Sequence, residues 1–225
     1  IIHDIFDNEV LSIETKINII TFYLQREKGT LYEDLLLSLG KKIITKHNDD
    51  AKAYSILGDI YYTYKKFDQA QKEYLKAVKI DNNHSLVWQQ IIFIDAENKD
   101  YDNIILHSSD ALKSIPNNPT LWLYKGIAHT MKKEKEKAIS SFESGIEHAT
   151  SNPALSKQFY AQLGDLYNEV KKYEKSYNAY DKALEYDPND PNVLNNYSYF
   201  LSLQKVNLAK ANSMSQHLIR MFPNE

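Results

Sequence analysis

No cysteine occurs anywhere in the chain, which removes disulfides, thiol catalysis and thiolate metal sites together. Six glycines and six prolines are few for 225 residues, as a chain built almost wholly of helices would have. No apolar run approaches the roughly 18 residues of a transmembrane helix. Neither sign of charge dominates, since 27 basic and 30 acidic residues leave a formal net charge of −3. That balance gives no reason to expect nucleic acid, an anionic membrane or direct membrane insertion. Catalytic signatures are missing too. The seven histidines never pair at the spacing of a helical metal site, serines occur without a nucleophile elbow, and no glycine-rich phosphate loop exists. The expectation is a chain with no enzymatic activity, no metal and no cofactor.

What the chain does have is a period. The stretch Ala51–His84 sets it, and its landmarks recur at a spacing of 34. Tyr54, Trp88 and Trp122 are 34 apart, followed by Tyr160 at +38 and Leu194 at +34. Ala77, Ala111, Gly145 and Ala183 step by 34, 34 and 38. A single four-residue insertion ahead of the fourth copy accounts for the departures. Fixed periods of this length mark stacked supersecondary units.

Within Ala51–His84, Tyr54, Leu57, Gly58 and Tyr61 form one helical stripe and Ala70, Tyr74 and Ala77 another. The break at Tyr64-Lys65-Lys66 implies two antiparallel helices, and the small residues let them approach closely. These landmarks resemble the tetratricopeptide repeat. The resemblance implies an all-α fold, a right-handed α-solenoid of stacked antiparallel helix pairs. It divides the chain into a degenerate N-terminal pair (1–50) and five repeats at 51–84, 85–118, 119–152, 157–190 and 191–225.

The first 50 residues predict helices over Ile13–Glu27 and Leu31–His47. Thr30-Leu31-Tyr32-Glu33 is a capping-box pattern, and Ile20, Tyr23, Leu36, Gly40 and Ile43 fall on the landmark positions. The second repeat departs from the pattern at Ile92, Asp95 and Ile104, so its two helices are expected to pack at an altered angle or spacing. His129 fills a tyrosine site in the third repeat and reads as a buried or half-buried core residue. Asn118-Pro119, Asn152-Pro153 and Asp190-Pro191 each place an N-cap acceptor before a proline at the first helical position. The insertion then reads as one extra turn on the front of a helix, at about 3.6 residues per turn. The fifth repeat needs one extra residue before Ala211. The run Lys132–Lys137 reads as a solvated turn. Asn196-Tyr197-Ser198 matches a glycosylation acceptor but lies mid-helix on core landmarks and is discounted. The chain opens on Ile1 without a signal peptide and closes at Pro223 without a polar capping helix, so further chain is expected at both ends.

The resemblance also implies where a partner would sit. In tetratricopeptide proteins the first helix of each repeat lines a concave groove through positions two, five, nine, twelve and thirteen. Carried over, these positions give an apolar patch of Leu86, Phe93, Leu123, Ile127 and Met131, with Gln89 beside it. Asp59, Glu97, Asp165 and Glu169 would favour a basic flank on the bound peptide. The carboxylate clamp of chaperone-binding relatives is absent, because its positions hold Ser55, Asp59, Gln90, Thr120 and Tyr124. The leading expectation is a non-enzymatic protein–protein interaction scaffold that holds a peptide or protein partner. The alternatives are a homo-oligomer and the targeting arm of a larger enzyme. Gln158–Leu203 resembles the tetratricopeptide proteins of bacterial cell envelopes, which favours a periplasmic or envelope-associated location over a cytoplasmic one.

Overall fold

Proline and its preceding acceptor fix where helices begin. In the computed structural model, which describes residues 6–8, 10–26 and 31–223, the Asn118 side chain accepts from the backbone N–H groups of Thr120 and Leu121. Asn152 accepts from Leu155, and Asp190 from Asn192 and Val193. Each satisfies amides that a helix start leaves without partners. All regular structure among the described residues is helical.

The chain divides into two compact units, Ile1–Ile115 and Pro116–Glu225. The first holds α1 (Ile13–Arg26), α2 (Glu33–Lys46), α3 (Ala51–Thr63), α4 (Phe67–Ile80), α5 (Ser85–Glu97) and α6 (Tyr101–Ser114). The second holds α7 (Pro119–Met131), α8 (Lys135–Ile146), α9 (Pro153–Glu169), α10 (Tyr173–Tyr186), α11 (Pro191–Gln204) and α12 (Leu208–Met221). Within each unit, three-residue turns inside the repeats and short turns between pairs set successive helices antiparallel. The first helices of neighbouring pairs within a unit therefore point the same way.

Helix α9 begins at Pro153, four residues ahead of the repeat register, as the extra-turn reading requires. The extra residue of the last repeat is absorbed in the turn before α12, where Lys205 and Asn207 both take left-handed backbone. The capping box is corrected. Helix α2 starts at Glu33 with Tyr32 as its N-cap and no side-chain cap, while Thr30 lies outside the described residues. The N-terminal pair does not stand apart, because Ile20, Leu36, Leu39 and Ile43 share one core with Ala53, Ile56, Leu57 and Ile60 of α3.

Three aromatic rings organise the pairs. Tyr74, Phe142 and Tyr180, each at most 1% exposed, lie flat against Gly58, Gly126 and Gly164 on the partner helix. A Cβ at Gly164 would come within 2.6 Å of the Tyr180 ring, and one at Gly126 within 2.3 Å of Phe142. Only glycine permits this approach, and burying each ring contributes about 2 kcal/mol. A second recurring contact fastens the preceding turn. The polar tips of Tyr54, Trp88 and Trp122 donate to the carbonyls of Asn48, Asn82 and Pro116, six residues back in each case, at 3.1, 2.9 and 2.8 Å.

The second repeat lacks the ring, having Ser108 in its place, and Ile92 replaces the glycine. Its helices α5 and α6 pack over less of their length than those of α3–α4, α7–α8 and α9–α10, as the bulkier residue predicts. Asp95, 2% exposed, occupies the gap. It accepts from Gln71 Nε2 at 2.6 Å and pairs with His107 Nδ1 at 2.7 Å. His129 is likewise buried and bound through Nδ1 to Glu134 at 2.6 Å.

Two predictions follow from this packing. Gly164→Ala is expected to cost about 1–3 kcal/mol by overpacking, because Tyr180 is held at its hydroxyl by Asp165 and cannot swing away. Gly40→Ala meets only the flexible ends of Ile60 and Leu57, at 2.9 and 3.1 Å. The helix-propensity gain of up to about 1 kcal/mol offsets that contact. Thermal unfolding of the two variants should therefore show a lowered midpoint for the first and little change for the second. Asp95→Ala strands the donors of Gln71 and the partner of His107, and is expected to cost at least about 2 kcal/mol by the same measurement.

Candidate functional site

In each unit the first helices of neighbouring pairs lie side by side, and a cleft runs between them. In the first unit, Lys52, Ser55 and Asp59 of α3 face Ile17, Asn18 and Thr21 of α1 across a cleft of about 210 Å³. In the second, Gln158, Ala161 and Asp165 of α9 face Asn192 and Asn196 of α11 across one of about 560 Å³, with Lys157 and Asp190 at one end. Lys52, Ser55 and Asp59, and Gln158, Ala161, Asp165 and Asn192, are the side chains that the repeat register assigns to the groove.

Both clefts hold a carboxylate wired to a core ring. Tyr74 donates its hydroxyl to Asp59 Oδ1 at 2.7 Å. Tyr180 donates to Asp165 Oδ1, which also accepts from Asn196 Nδ2 at 3.0 Å. Burial pushes the Asp165 carboxyl above the usual carboxylate range. The hydrogen bonds from Tyr180 and Asn196 oppose the rise, and the negative charge of Glu169 adds to it. Burial raises Asp59 in the same way, against the Tyr74 hydrogen bond. The two phenols are pushed up in turn, by their own burial first and then by the carboxylate beside them. One turn beyond Asp165 along α9, the buried Asn168 Oδ1 has no hydrogen-bond partner among the described residues.

The apolar residues assigned to the groove divide between the units. On α5, Leu86 and Phe93 are exposed, at 73% and 39%, and Phe93 meets Tyr62 edge to face at 6.1 Å. Gln89 is half-buried and bonded to Ser85, while Glu97 is exposed. On α7, Met131 is exposed and Ile127 half-buried. Leu123 is a correction. At 5% exposure it belongs to the core with Phe142, Phe159 and Leu163 and offers a partner almost no surface. Glu169 is exposed but paired to Lys135 at 2.9 Å.

Sequence reasoning missed Asn196, Lys157 and Gln162 in the larger cleft, and Ile17, Asn18 and Thr21 in the smaller one. The signal for Asn196 was its place one helical turn before the groove position Tyr199, on the same helix as Asn192. The carboxylate–phenol link was visible as Asp and Tyr recurring 15 residues apart, at Asp59–Tyr74 and Asp165–Tyr180.

Profiles of the tetratricopeptide repeat match residues 51–84, 157–190 and 179–217. No curated protein sequence matches the chain. Among solved structures, YrrB, titled a TPR protein with an unusual peptide-binding site, is similar at a TM-score of 0.69 and 16% identity, over 83% of this chain and 93% of its own. Pseudomonas aeruginosa pilF is similar at 0.67 and 18%, over 94% and 92%. MamA is similar at 0.65 and 19%, over 73% and 93%. At these identities the likeness speaks for the fold. Among the described residues no helix is long and apolar enough to cross a membrane. The 34-residue period, the paired helices of both units and these matches agree: the chain carries tetratricopeptide repeats.

Proposed function

We propose that the chain is a non-enzymatic interaction scaffold that binds an extended, donor-rich peptide segment in the clefts between its first helices, with a basic side chain of that segment placed against Asp165. Repeats of this family are typically protein–protein interaction scaffolds, which supports the coarse reading. The observation that carries the finer one is the Asp165 carboxylate, held by Tyr180 and Asn196 in a cleft of about 560 Å³ lined by four amide side chains, with Lys157 paired to Asp190 at one end. Amide side chains at Gln158, Gln162, Asn192 and Asn196 supply both donors and acceptors, the complement of a peptide backbone. Phe93 and Leu86 in the first unit offer exposed apolar surface of the kind that anchors a partner side chain.

Self-association is a second reading with its own support. Ile219 on α12 and Phe222 at its C-cap are 67% and 41% exposed and border a cleft of about 270 Å³ with Pro191 and Asn195. Sedimentation that shows mass rising with concentration would favour it over the peptide reading.

The test exploits the sign of the Asp165 shift. A carboxyl whose folded pKa is raised binds protons more readily in the folded state. Its contribution to stability is therefore favourable at low pH and is lost as pH rises through the folded value. Asp165→Asn removes that cost and can still accept from Tyr180, so its unfolding midpoint at neutral pH should match or exceed that of the parent. Peptides selected on the parent chain by phage display should carry a basic residue and bind Asp165→Asn at least about tenfold more weakly, the scale of one charge-assisted hydrogen bond. Phe93→Ala with Ile127→Ala serves as the apolar counterpart. Selected peptides without basic character, or equal binding to Asp165→Asn, would sink the assignment.

A further inference from the structure

The turns between the helices of a pair and the turns between pairs carry opposite charge. In the second unit the turns within pairs are 132–134, 170–172 and 205–207. They contain Lys132, Lys133, Lys171, Lys172 and Lys205 against a single acid, Glu134, which is already engaged by His129 and Lys137. The turns between pairs, 147–152 and 187–190, contain Glu147, Asp187 and Asp190 and no lysine or arginine. Because the first helices of the unit run parallel, all three lysine-bearing turns lie along one edge.

The fold explains the acids but not the lysines. Asp190 caps α11, and Asp187 accepts from the backbone of Asn189. Lys133, Lys171, Lys172 and Lys205 close the end of the preceding helix through their backbone N–H groups, a role any residue fills, and their side chains have no such local part among the described residues. Lys133, Lys171 and Lys205 sit in left-handed backbone at φ of 61, 60 and 55°, a conformation that glycine adopts at no steric cost and L side chains rarely visit. Lys65 and Lys99 hold the same turn position in the first unit at 58 and 55°. Helix dipoles do not call for cations here either. Each turn joins the negative end of one helix to the positive end of the next, and the two offset. A residue the backbone disfavours stands in five of five turns, and in the second unit Lys133, Lys171, Lys172 and Lys205 are exposed with no ion pair among the described residues. Acids close to them in sequence are Glu134, engaged by His129 and Lys137, Glu169, paired to Lys135, and Glu136 and Glu174 in the first turns of α8 and α10.

Aliphatic side chains stand among these cations. Met131 adjoins Lys132 and is 54% exposed; Leu203, Val206 and Leu208 flank Lys205 at 58, 45 and 55%. Arginine and exposed aromatic rings, which would stack on or grip nucleic acid, are absent from the edge. The chain's two arginines are Arg26, in the first unit, and Arg220, at the far end of α12. Lysines interleaved with exposed aliphatics fit the interface of an anionic bilayer, where ammonium groups meet headgroup phosphates and short apolar tips enter the acyl boundary. We infer that the within-pair turn edge of the second unit docks peripherally on anionic lipid bilayers, leaving the clefts on another face of the helices. The net charge of −3 averages over this segregation and conceals it.

The test sets stability against binding. The variant K133G/K171G/K172Q/K205G relieves three left-handed lysines, so its unfolding midpoint should equal or exceed that of the parent. The parent chain should co-sediment with phosphatidylcholine vesicles carrying about one-third phosphatidylserine, release as salt rises, and ignore pure phosphatidylcholine. The variant should bind the anionic vesicles at least about tenfold more weakly, since each lysine near such a surface counts for about fivefold. Val206→Ser with Leu208→Ser should weaken binding without changing its salt dependence. Failure of the parent to sediment with anionic vesicles overturns the inference, as does a variant that sediments equally. Binding of polyuridine without binding of vesicles overturns it in favour of nucleic acid.

Discussion

Three of the repeats hang on one contact, an aromatic ring laid on a glycine of the facing helix. The ring at Tyr74, Phe142 or Tyr180 sets how closely the two helices approach, and the glycine opposite leaves the space for it. The same contact dictates what the groove displays. Where the ring is a tyrosine its hydroxyl emerges toward the groove, and the residue there is an aspartate, Asp59 or Asp165. Where it is Phe142, with no hydroxyl to satisfy, the corresponding residue is Ile127. Where Ser108 replaces the ring altogether, the position holds Phe93, which turns outward. The face along the clefts is thus a readout of the core chemistry beneath it, because a buried phenol must find an acceptor and that face is the nearest place to put one.

Much of this was legible in the chain itself. A 34-residue period, proline after an Asn or Asp acceptor, and a four-residue insertion matching one helical turn are local signals, and local signals survive into structure because caps and turns involve residues close in sequence. Helix phase was legible for the same reason at Lys52, Ser55, Asp59, Gln158, Ala161 and Asp165, which line the clefts between first helices. The misreadings are long-range. Leu123 has groove phase on α7 but shares its core with Phe159 and Leu163 of α9. Helix phase cannot foresee how far the next pair leans over. The Asp95–Gln71–His107 cluster joins three helices across 12 and 24 residues, and each member alone reads as an ordinary polar residue. The one hint was a carboxylate standing on a landmark meant for tyrosine.

The second repeat shows what happens when the central contact is lost. With no ring and no glycine, α5 and α6 pack over less of their length, and a buried ionisable pair fills the space that packing would otherwise close. Such a cluster specifies its geometry by hydrogen bonds rather than by shape. It tolerates little substitution, since each member's partners are buried with it. The boundary between the two compact units falls directly after this pair, at Ile115. The repeat with the weakest internal packing is therefore the one that ends the first unit.

The hydrogen bonds at Asp165 carry a consequence for selectivity. Tyr180 and Asn196 both donate to Oδ1, which uses the two lone pairs of that oxygen. A cation entering the cleft meets Oδ2 alone. A guanidinium gains its advantage over an ammonium by engaging both oxygens of a carboxylate at once, and here the scaffold has already claimed one of them. Under the proposed binding mode this takes away the guanidinium's two-oxygen advantage over an ammonium, so the cleft would not select arginine over lysine by that means.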